Sequence, residues 1–243
     1  MDIRLADFRA PSQMAENEDH VLAVDPLYLM APTATPAKDA LLPWDQEPMF
    51  RVWGDTGIRR WKIEWNGEQH EVVAKYSFAK EETFYRKNSE TGEKELVIQG
   101  NRAARGRTVW GSHAAKNIGV SVVRAGREME LQKGLTRANE PQERWWGAEI
   151  SFPPTLDEVF GVTNDKQHAR HLDDVQELLI EDVETGESEV DSEEIRIMEE
   201  TDDPRGILAR LIRDVQTDLA AIRRLVSKEA SAANKEIERL QKG

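Results

Sequence analysis

The stretch that decides the fold is Ile58–Phe78, IRRWKIEWNGEQHEVVAKYSF. Trp61, Ile63 and Trp65 alternate with charged residues, which is the period-two pattern of a half-buried strand. The Asn66-Gly67 pair follows, and these residue types tolerate the positive φ angles of a tight two-residue turn. A second apolar run comes directly after the pair. The pattern therefore predicts a β-hairpin.

Two later stretches continue the strand pattern. Residues 117–131, NIGVSVVRAGREMEL, place apolar residues at alternate positions, and Gly126 interrupts them. A glycine at that point indicates a turn or bulge between two strand segments. Residues 144–152, RWWGAEISF, predict a further strand, which ends at Pro153-Pro154.

Short helices are predicted between and after these strands. One is expected in residues 79–88, AKEETFYRKN. Thr155 has the position of an N-cap, and Glu158 would complete a capping box over LDEVF. Another helix is expected after Asn164. Its apolar positions would be Leu172, Val175, Leu178 and Leu179.

The flanking regions predict an arm, a linker and a long helix. Residues 1–48 contain six prolines and little periodicity, which favours an extended arm anchored mainly by VLAVDPLYLM at 21–30. Residues 49–180 would form the α/β domain, and residues 181–203 an acidic linker. Pro204 suits the first turn of a helix that runs through 204–243. Its stripe is expected to pack on the domain or on a partner helix, and it consists of Leu208, Leu211, Ile212, Val215, Leu219, Ile222 and Val226.

These elements together predict an α+β protein. Its mixed sheet would be packed with helices, preceded by the extended arm and followed by the long C-terminal helix. A chain of 243 residues is long enough to bury a core of that size.

The composition limits the classes of function. The formal net charge is -13, and residues 151–203 hold eighteen acidic and three basic residues. Such an excess repels phosphate backbones and disfavours nucleic acid as a partner. A local contact could form only at a basic cluster, which is more typical of a solvated loop. The cluster consists of Arg102, Arg105, Arg107 and Lys116.

The same composition favours a cytoplasmic protein. The chain has no cysteine, which excludes disulfides and thiolate metal sites. No apolar run reaches the roughly 20 residues that cross a bilayer, so no membrane partner is expected. The first residues, MDIRLADFRA, lack the pattern of a signal peptide.

Residue patterns for familiar chemistries are weak. His168 and His171 are spaced to lie on one helical face, and Asp173 or Asp174 could supply a third metal ligand. Two surface histidines are the simpler interpretation, so no metal site is predicted. Neither a Walker A motif nor G-x-G-x-x-G occurs, and no serine stands in a nucleophile-elbow pattern.

Two stretches carry a resemblance to a known family. The segments NIGVSVVRAGREMEL and RWWGAEISFPPTLDEVFGVTNDKQ resemble the second domain, the transducer, of GHKL ATPases. This superfamily includes gyrase B, MutL, MORC proteins and the ninety-kilodalton heat-shock chaperone. The resemblance implies a ribosomal-protein-S-five-like α/β fold. It extends over roughly residues 20–180, although its specific motifs cover only about forty of them.

The resemblance also implies a site. Lys166 in GVTNDKQ matches the lysine that crosses to the ATPase domain and contacts the γ-phosphate, and Asn164 and Gln167 are its polar neighbours. Arg127 in VRAGREM matches the arginine of an N-x-R turn, with Ala125 in place of the asparagine. A simpler interpretation keeps Lys166 as a surface charge that balances neighbouring aspartates.

The ATPase domain of that family has no counterpart in this sequence. Its E-x-x-x-N segment and D-x-G-x-G motif do not occur. ATP and Mg²⁺ would therefore be bound only by a missing ATPase domain, and this chain alone is not expected to be an active enzyme. That domain could precede an excised fragment, could have been lost, or could lie on another chain.

Two functions follow as expectations. The first is a transducer that senses ATP through Lys166 and relays the change to a partner. The second is a nucleotide-independent interaction scaffold, a homodimer formed through the helix at 205–240.

Overall fold

A central mixed sheet and one long helix organise the molecule, whose structure is a computed structural model. The protein is α+β, as predicted. The described residues are 3–7, 17–21, 25–31, 44, 46–87, 94–96, 106–137, 140–164, 167–177, 179–181, 188–190, 192–201 and 203–241.

The strands and helices have the following bounds. The strands are β1 Ile3–Asp7, β2 Asn17–Val21, β3 Phe50–Val52, β4 Ile58–Trp65, β5 Glu68–Ala79, β6 Tyr85–Lys87, β7 Lys94–Leu96, β8 Val120–Arg124, β9 Arg127–Gln132, β10 Trp146–Phe152, β11 Leu179–Glu181 and β12 Ser188–Val190. The helices are α1 Val109–Ala114, α2 Asp157–Phe160, α3 Arg170–Glu177, α4 Ser192–Glu200 and α5 Pro204–Gln241. Short 3₁₀ turns cover Glu81–Thr83, Ala115–Asn117, Glu143–Trp145 and Pro154–Leu156.

The central sheet has the order β3-β5-β10-β8-β9, and β4 also pairs with β5. Residues 73–78 of β5 pair with β10, so β3 and β4 share the opposite edge of β5. Only β8 and β10 are parallel; the other pairs are antiparallel. Elsewhere in the described residues, β1 pairs with β2, β6 with β7, and β11 with β12, each as a two-stranded antiparallel sheet.

The hairpin that opens the sheet forms as predicted. Asn66 and Gly67 adopt φ angles of 54° and 77°, and Trp65 pairs with Glu68 across the turn. A second tight turn, at Ala125 and Gly126 with φ angles of 50° and 80°, joins β8 to β9. The interruption at Gly126 is therefore a turn, and a register shift lies before it in β8, between Val122 and Val123.

The core lies between the sheet and α5. Side chains alternate along a strand, so Val72, Ala74 and Tyr76 of β5 share one face, and all are at most 1% exposed. The predicted stripe of α5 covers that face, since its seven apolar residues are at most 2% exposed. The stripe and the sheet belong to one hydrophobic cluster. The long helix that begins at Pro204 therefore shares the core of the α/β domain and has no separate core of its own.

An ion pair within the core fastens α5 to the 3₁₀ turn before β10. Glu143 and Arg223 are 1% and 9% exposed at their side chains. The Glu143 carboxylate accepts from Arg223 Nε at 2.8 Å and from Nη2 at 2.9 Å. Arg223 also donates to the Leu135 carbonyl and lies over the Trp146 ring. The donors and acceptors of this pair are thus well satisfied.

Several predicted elements differ from the structure. Residues 79–88 hold a 3₁₀ turn and β6 instead of an α-helix. Thr155 is not an N-cap, because it lies inside the 3₁₀ turn Pro154–Leu156 and its hydroxyl contacts His70 Nδ1 at 3.0 Å. The predicted acidic linker contains β12 and α4. Part of the extended arm forms the β1–β2 hairpin.

The anchor predicted in the arm docks on the second face of the sheet. The Asp25 carboxylate accepts from the backbone N–H groups of Leu27 and Leu29 at 2.9 and 2.8 Å. The carbonyl of Leu27 accepts from the Ser77 hydroxyl at 2.7 Å. The Tyr28 hydroxyl contacts His113 Nδ1 at 2.9 Å, which joins the arm to α1. Burial raises the pKa of Tyr28 to about 12.

We expect this anchor to make the protein sensitive to mild acid. Burial, and secondly the charge of Lys116, lowers the pKa of His113 below its ordinary value. Folding therefore favours the neutral ring, and the unfolded chain binds the proton more readily. Stability should be full above the unfolded pKa of about 6.5 and should fall as the pH drops through it. Urea unfolding at about pH 7.5 and about pH 5.5 measures the loss.

The matched control for this effect is His113→Gln. This variant keeps a polar side chain beside Tyr28 but cannot titrate, so its midpoint should change less between the two pH values. An equal change in both proteins would contradict the role of His113.

Candidate functional site

The sequence-predicted site residues fall in two places, a loop between α2 and α3 and the turn before β9. We call the first, with the helix residue that closes it, the 161–170 loop. Asn164 and Gln167 lie in it and are exposed. Lys166 lies outside the described residues. Arg127 begins β9, where it pairs with Arg124, and is exposed as well.

Gly161 sets the direction in which the chain enters the loop. It ends α2 with a φ of 64°, and the N–H of Val162 then reaches the Asp157 carbonyl at 2.8 Å. This is a C-terminal cap that favours glycine. A Cβ at this position would also lie 2.7 Å from the His171 ring. Both the backbone angle and the available space therefore require glycine.

Backbone hydrogen bonds close the base of the loop. Val162 and Ala169 form an isolated antiparallel bridge. The N–H of Thr163 donates to the His168 carbonyl at 3.2 Å, and the N–H of Arg170 donates to the Gly161 carbonyl at 3.2 Å. Residues 161–163 and 168–170 are consequently paired with each other.

Side chains from the neighbouring elements fix that base. Glu130 of β9 accepts from the Ala169 N–H at 3.1 Å and lies 3.1 Å from His168 Nδ1. His171 Nδ1 lies 3.0 Å from the Val159 carbonyl, and a carbonyl can only accept, so this nitrogen carries the proton. The two histidines therefore position the loop.

The metal alternative finds no support in this geometry. His168 and His171 each bond to a different protein oxygen, as described above, and Asp173 accepts from Gln132 Nε2 at 2.7 Å. Within the described part of the chain, no group of three or more His, Asp or Glu side chains is arranged to hold a metal ion.

An open cleft of about 700 Å³ adjoins the loop. Asn164 lines it together with residues of α2 and α3, among them Glu158 and Arg170. Arg127 does not line it. Arg127 precedes Glu130 by three positions of β9, or about 10 Å at the usual rise of a strand. Asn164 thus lines the cleft, whereas Arg127 stands at the start of β9, paired with Arg124, which binds the cleft residue Asp157.

A bidentate ion pair links the end of β8 to α2. Arg124 Nε and Nη2 donate to the two carboxylate oxygens of Asp157 at 2.6 and 2.7 Å. This hydrogen bonding to Asp157 raises the pKa of Arg124. The pair and Glu130 were not singled out by the sequence, since isolated charges in an acid-rich chain give no positional signal. The Gly161 position was likewise missed.

The helices on either side of the loop pack against α5. Val159 and Phe160 of α2 and Leu172 and Val175 of α3 are all fully buried. Both helices pack on α5, and Phe160 stacks on Phe152 at the end of β10 with ring centroids 3.7 Å apart. A displacement of the loop base would therefore press on α5.

Comparison of the chain with protein-family models, with curated proteins and with solved structures finds no match. Among the helices in the described residues, none has both the length and the apolar character of a membrane span.

Proposed function

We propose that this chain is the transducer part of a GHKL-type ATP-binding protein. Lys166 would contact the γ-phosphate of ATP held by an ATPase domain, either upstream in the same polypeptide or on another chain. The observation that carries the proposal is the 161–170 loop. Its base is held by Glu130, His168 and His171, whereas Asn164 and Gln167 are exposed.

The chemistry of the loop residues suits a terminal phosphate. A lysine presents a compact ammonium on a flexible stem, which makes a point contact with an anion. The amide groups of Asn164 and Gln167 can each donate hydrogen bonds to phosphate oxygens. ATP and its Mg²⁺ would be bound by the ATPase domain, and this chain would add only the contacts of its loop.

The packing of the loop supports a relay. Because α2 and α3 touch both the loop and α5, a loop that is drawn toward the nucleotide would bias the position of α5. A contact that exists only with the triphosphate could couple hydrolysis to that movement.

The described part of α5 does not favour the scaffold alternative. The stripe from Leu208 to Val226 is buried against the sheet of the same chain. A homodimer that used this stripe would have to expose the core.

Nucleotide-dependent docking tests the proposal. The ATPase domain would be taken from the same reading frame or from a neighbouring gene, identified by its E-x-x-x-N and D-x-G-x-G motifs. We expect this chain to bind it more tightly with a non-hydrolysable ATP analogue than with ADP, as measured by calorimetry. Lys166→Ala should remove the difference, whereas Lys133→Ala, at an exposed lysine outside the loop, should retain it. Equal binding with both nucleotides, or no such domain in the gene or its neighbours, would contradict the proposal.

A further inference from the structure

A cleft of about 600 Å³ lies between β4 and the N-terminal half of α5, away from the 161–170 loop. Its apolar lining includes Trp61, Trp65 and Ile207, which pack against the core but keep part of their surface exposed. The volume is within the range of ligand-binding clefts in proteins.

One wall of the cleft is an open sheet edge. The Trp65–Glu68 pair closes the two-residue turn at Asn66-Gly67 and is therefore a hydrogen-bonded pair. Along an antiparallel ladder, hydrogen-bonded pairs alternate with non-hydrogen-bonded pairs. The Tyr76 N–H donates to the carbonyl of Gly57, another odd-numbered residue, at 2.8 Å, so Gly57 also belongs to the bonded set. The odd-numbered residues of β4 therefore bond to β5.

The even-numbered residues of β4 consequently direct their backbone groups outward. These include Lys62 and Glu64, which also line the cleft. No strand in the described residues pairs with this edge. An edge that offers alternate N–H and C=O groups is complementary to an extended peptide.

The opposite wall presents an exposed guanidinium to the cleft. Both aspartates that line the cleft contact an arginine: Asp214 pairs at 2.9 Å with Arg59, which Asp218 shares, and Asp203 pairs with Arg205 at 2.6 Å. Arg213 also lines the cleft and is exposed, and its side chain makes no ion pair within the described part of the chain. An acidic side chain would complement it.

A polar group in the cleft lining lacks a partner. The Nε1 atom of Trp65 is buried, and no acceptor lies within hydrogen-bonding distance in the described residues. The indole of Trp61, in contrast, donates to Asp214 at 2.9 Å. A buried donor without an acceptor is uncommon in a folded protein, and a bound water or ligand is one way to satisfy it.

We propose that this cleft binds an extended acidic peptide segment of a partner protein, added as a strand to the outer edge of β4. An apolar side chain of the peptide would lie between Trp61, Trp65 and Ile207. A carboxylate would face Arg213, and backbone hydrogen bonds would form with Lys62 and Glu64. The inference does not depend on a nucleotide.

Synthetic peptides test the proposal on the full chain. The probe is a ten-residue peptide of Thr and Val with a central Phe between two Glu residues; one control has Lys in place of both Glu, and another has alternate backbone amides methylated. The acidic probe should shift the NMR amide signals of Lys62 and Glu64 and bind about fivefold more tightly than the Lys control. The methylated control should not bind, because it cannot pair with the edge.

Two variants examine the two walls separately. Arg213→Glu should weaken binding of the acidic probe about fivefold, whereas Lys228→Glu, on the same helix but outside the cleft, should not. Lys62→Pro removes an outward N–H, which an edge strand tolerates, and should abolish binding without lowering the unfolding midpoint appreciably.

Three results would overturn the proposal. One is the lack of any shift at Lys62 and Glu64 with the acidic probe at about 1 mM. A second is equal binding of the acidic and Lys-substituted peptides. The third is self-association in sedimentation that Lys62→Pro abolishes, since it would assign the edge to a second copy of this chain.

Discussion

Lys166→Ala should lower ATP turnover about tenfold or more in the assembly that contains the ATPase domain. This is the scale expected when one charged contact to the transferred phosphate is lost, and tenfold corresponds to about 1.4 kcal/mol of activation free energy. The proposed base of the loop, at Glu130 and His171, would remain intact. The loss should appear in kcat, and the affinity for ATP should fall as well, because the same contact favours docking with the triphosphate.

Two variants make this result specific to the ammonium group. Lys166→Arg keeps a positive charge and should retain part of the turnover, although its planar head differs in geometry. Lys133→Ala removes an exposed lysine elsewhere and should leave turnover unchanged. Steady-state kinetics with all four proteins at saturating ATP would decide the matter, and full activity of Lys166→Ala would exclude the proposed role.

Glu143→Gln is expected to give the largest loss of stability, about 3–5 kcal/mol. The substitution removes the charge that balances Arg223, and the Arg223 side chain is only 9% exposed, so little hydration can compensate. The remaining contacts of Arg223, with the Leu135 carbonyl and the Trp146 ring, cannot neutralise it. Urea unfolding followed by circular dichroism measures the change.

The control for Glu143 is an exposed ion pair of the same type. Glu200 pairs with Arg196 on α4 with both side chains more than half exposed, so Glu200→Gln should cost less than about 1 kcal/mol. Combining Glu143→Leu with Arg223→Met should recover most of the loss, because apolar residues can replace a buried pair. Similar losses for Glu143→Gln and Glu200→Gln would show that the pair is solvated.

Local chemistry explains the elements that the sequence predicted well. The Asn66-Gly67 turn needs only residues that accept positive φ angles, and these act over a few positions of the chain. The stripe of α5 likewise follows from the period of one helix. The sequence left open whether that stripe packs on the domain or on a partner, because both would bury the same residues.

Contacts with residues distant in the sequence explain the predictions that were wrong. Thr155 has the composition of a cap, yet its hydroxyl contacts His70, eighty-five positions away. The acidic composition of 181–203 predicts a linker, but its residues 192–200 form α4, which packs on α5. Tertiary contacts changed the outcome at both positions, since single-residue propensities are small relative to packing.

The sequence by itself determined the hairpin, the α+β class, the long amphipathic helix and the candidate loop with Asn164, Lys166 and Gln167. Only the tertiary structure decided that Glu130 holds the base of that loop, that Glu143 pairs with Arg223, and that β4 keeps an open edge beside α5. The reason is physical. Turns and periodic faces are set by neighbouring residues, whereas ion pairs, clefts and free edges exist only after distant segments have packed together.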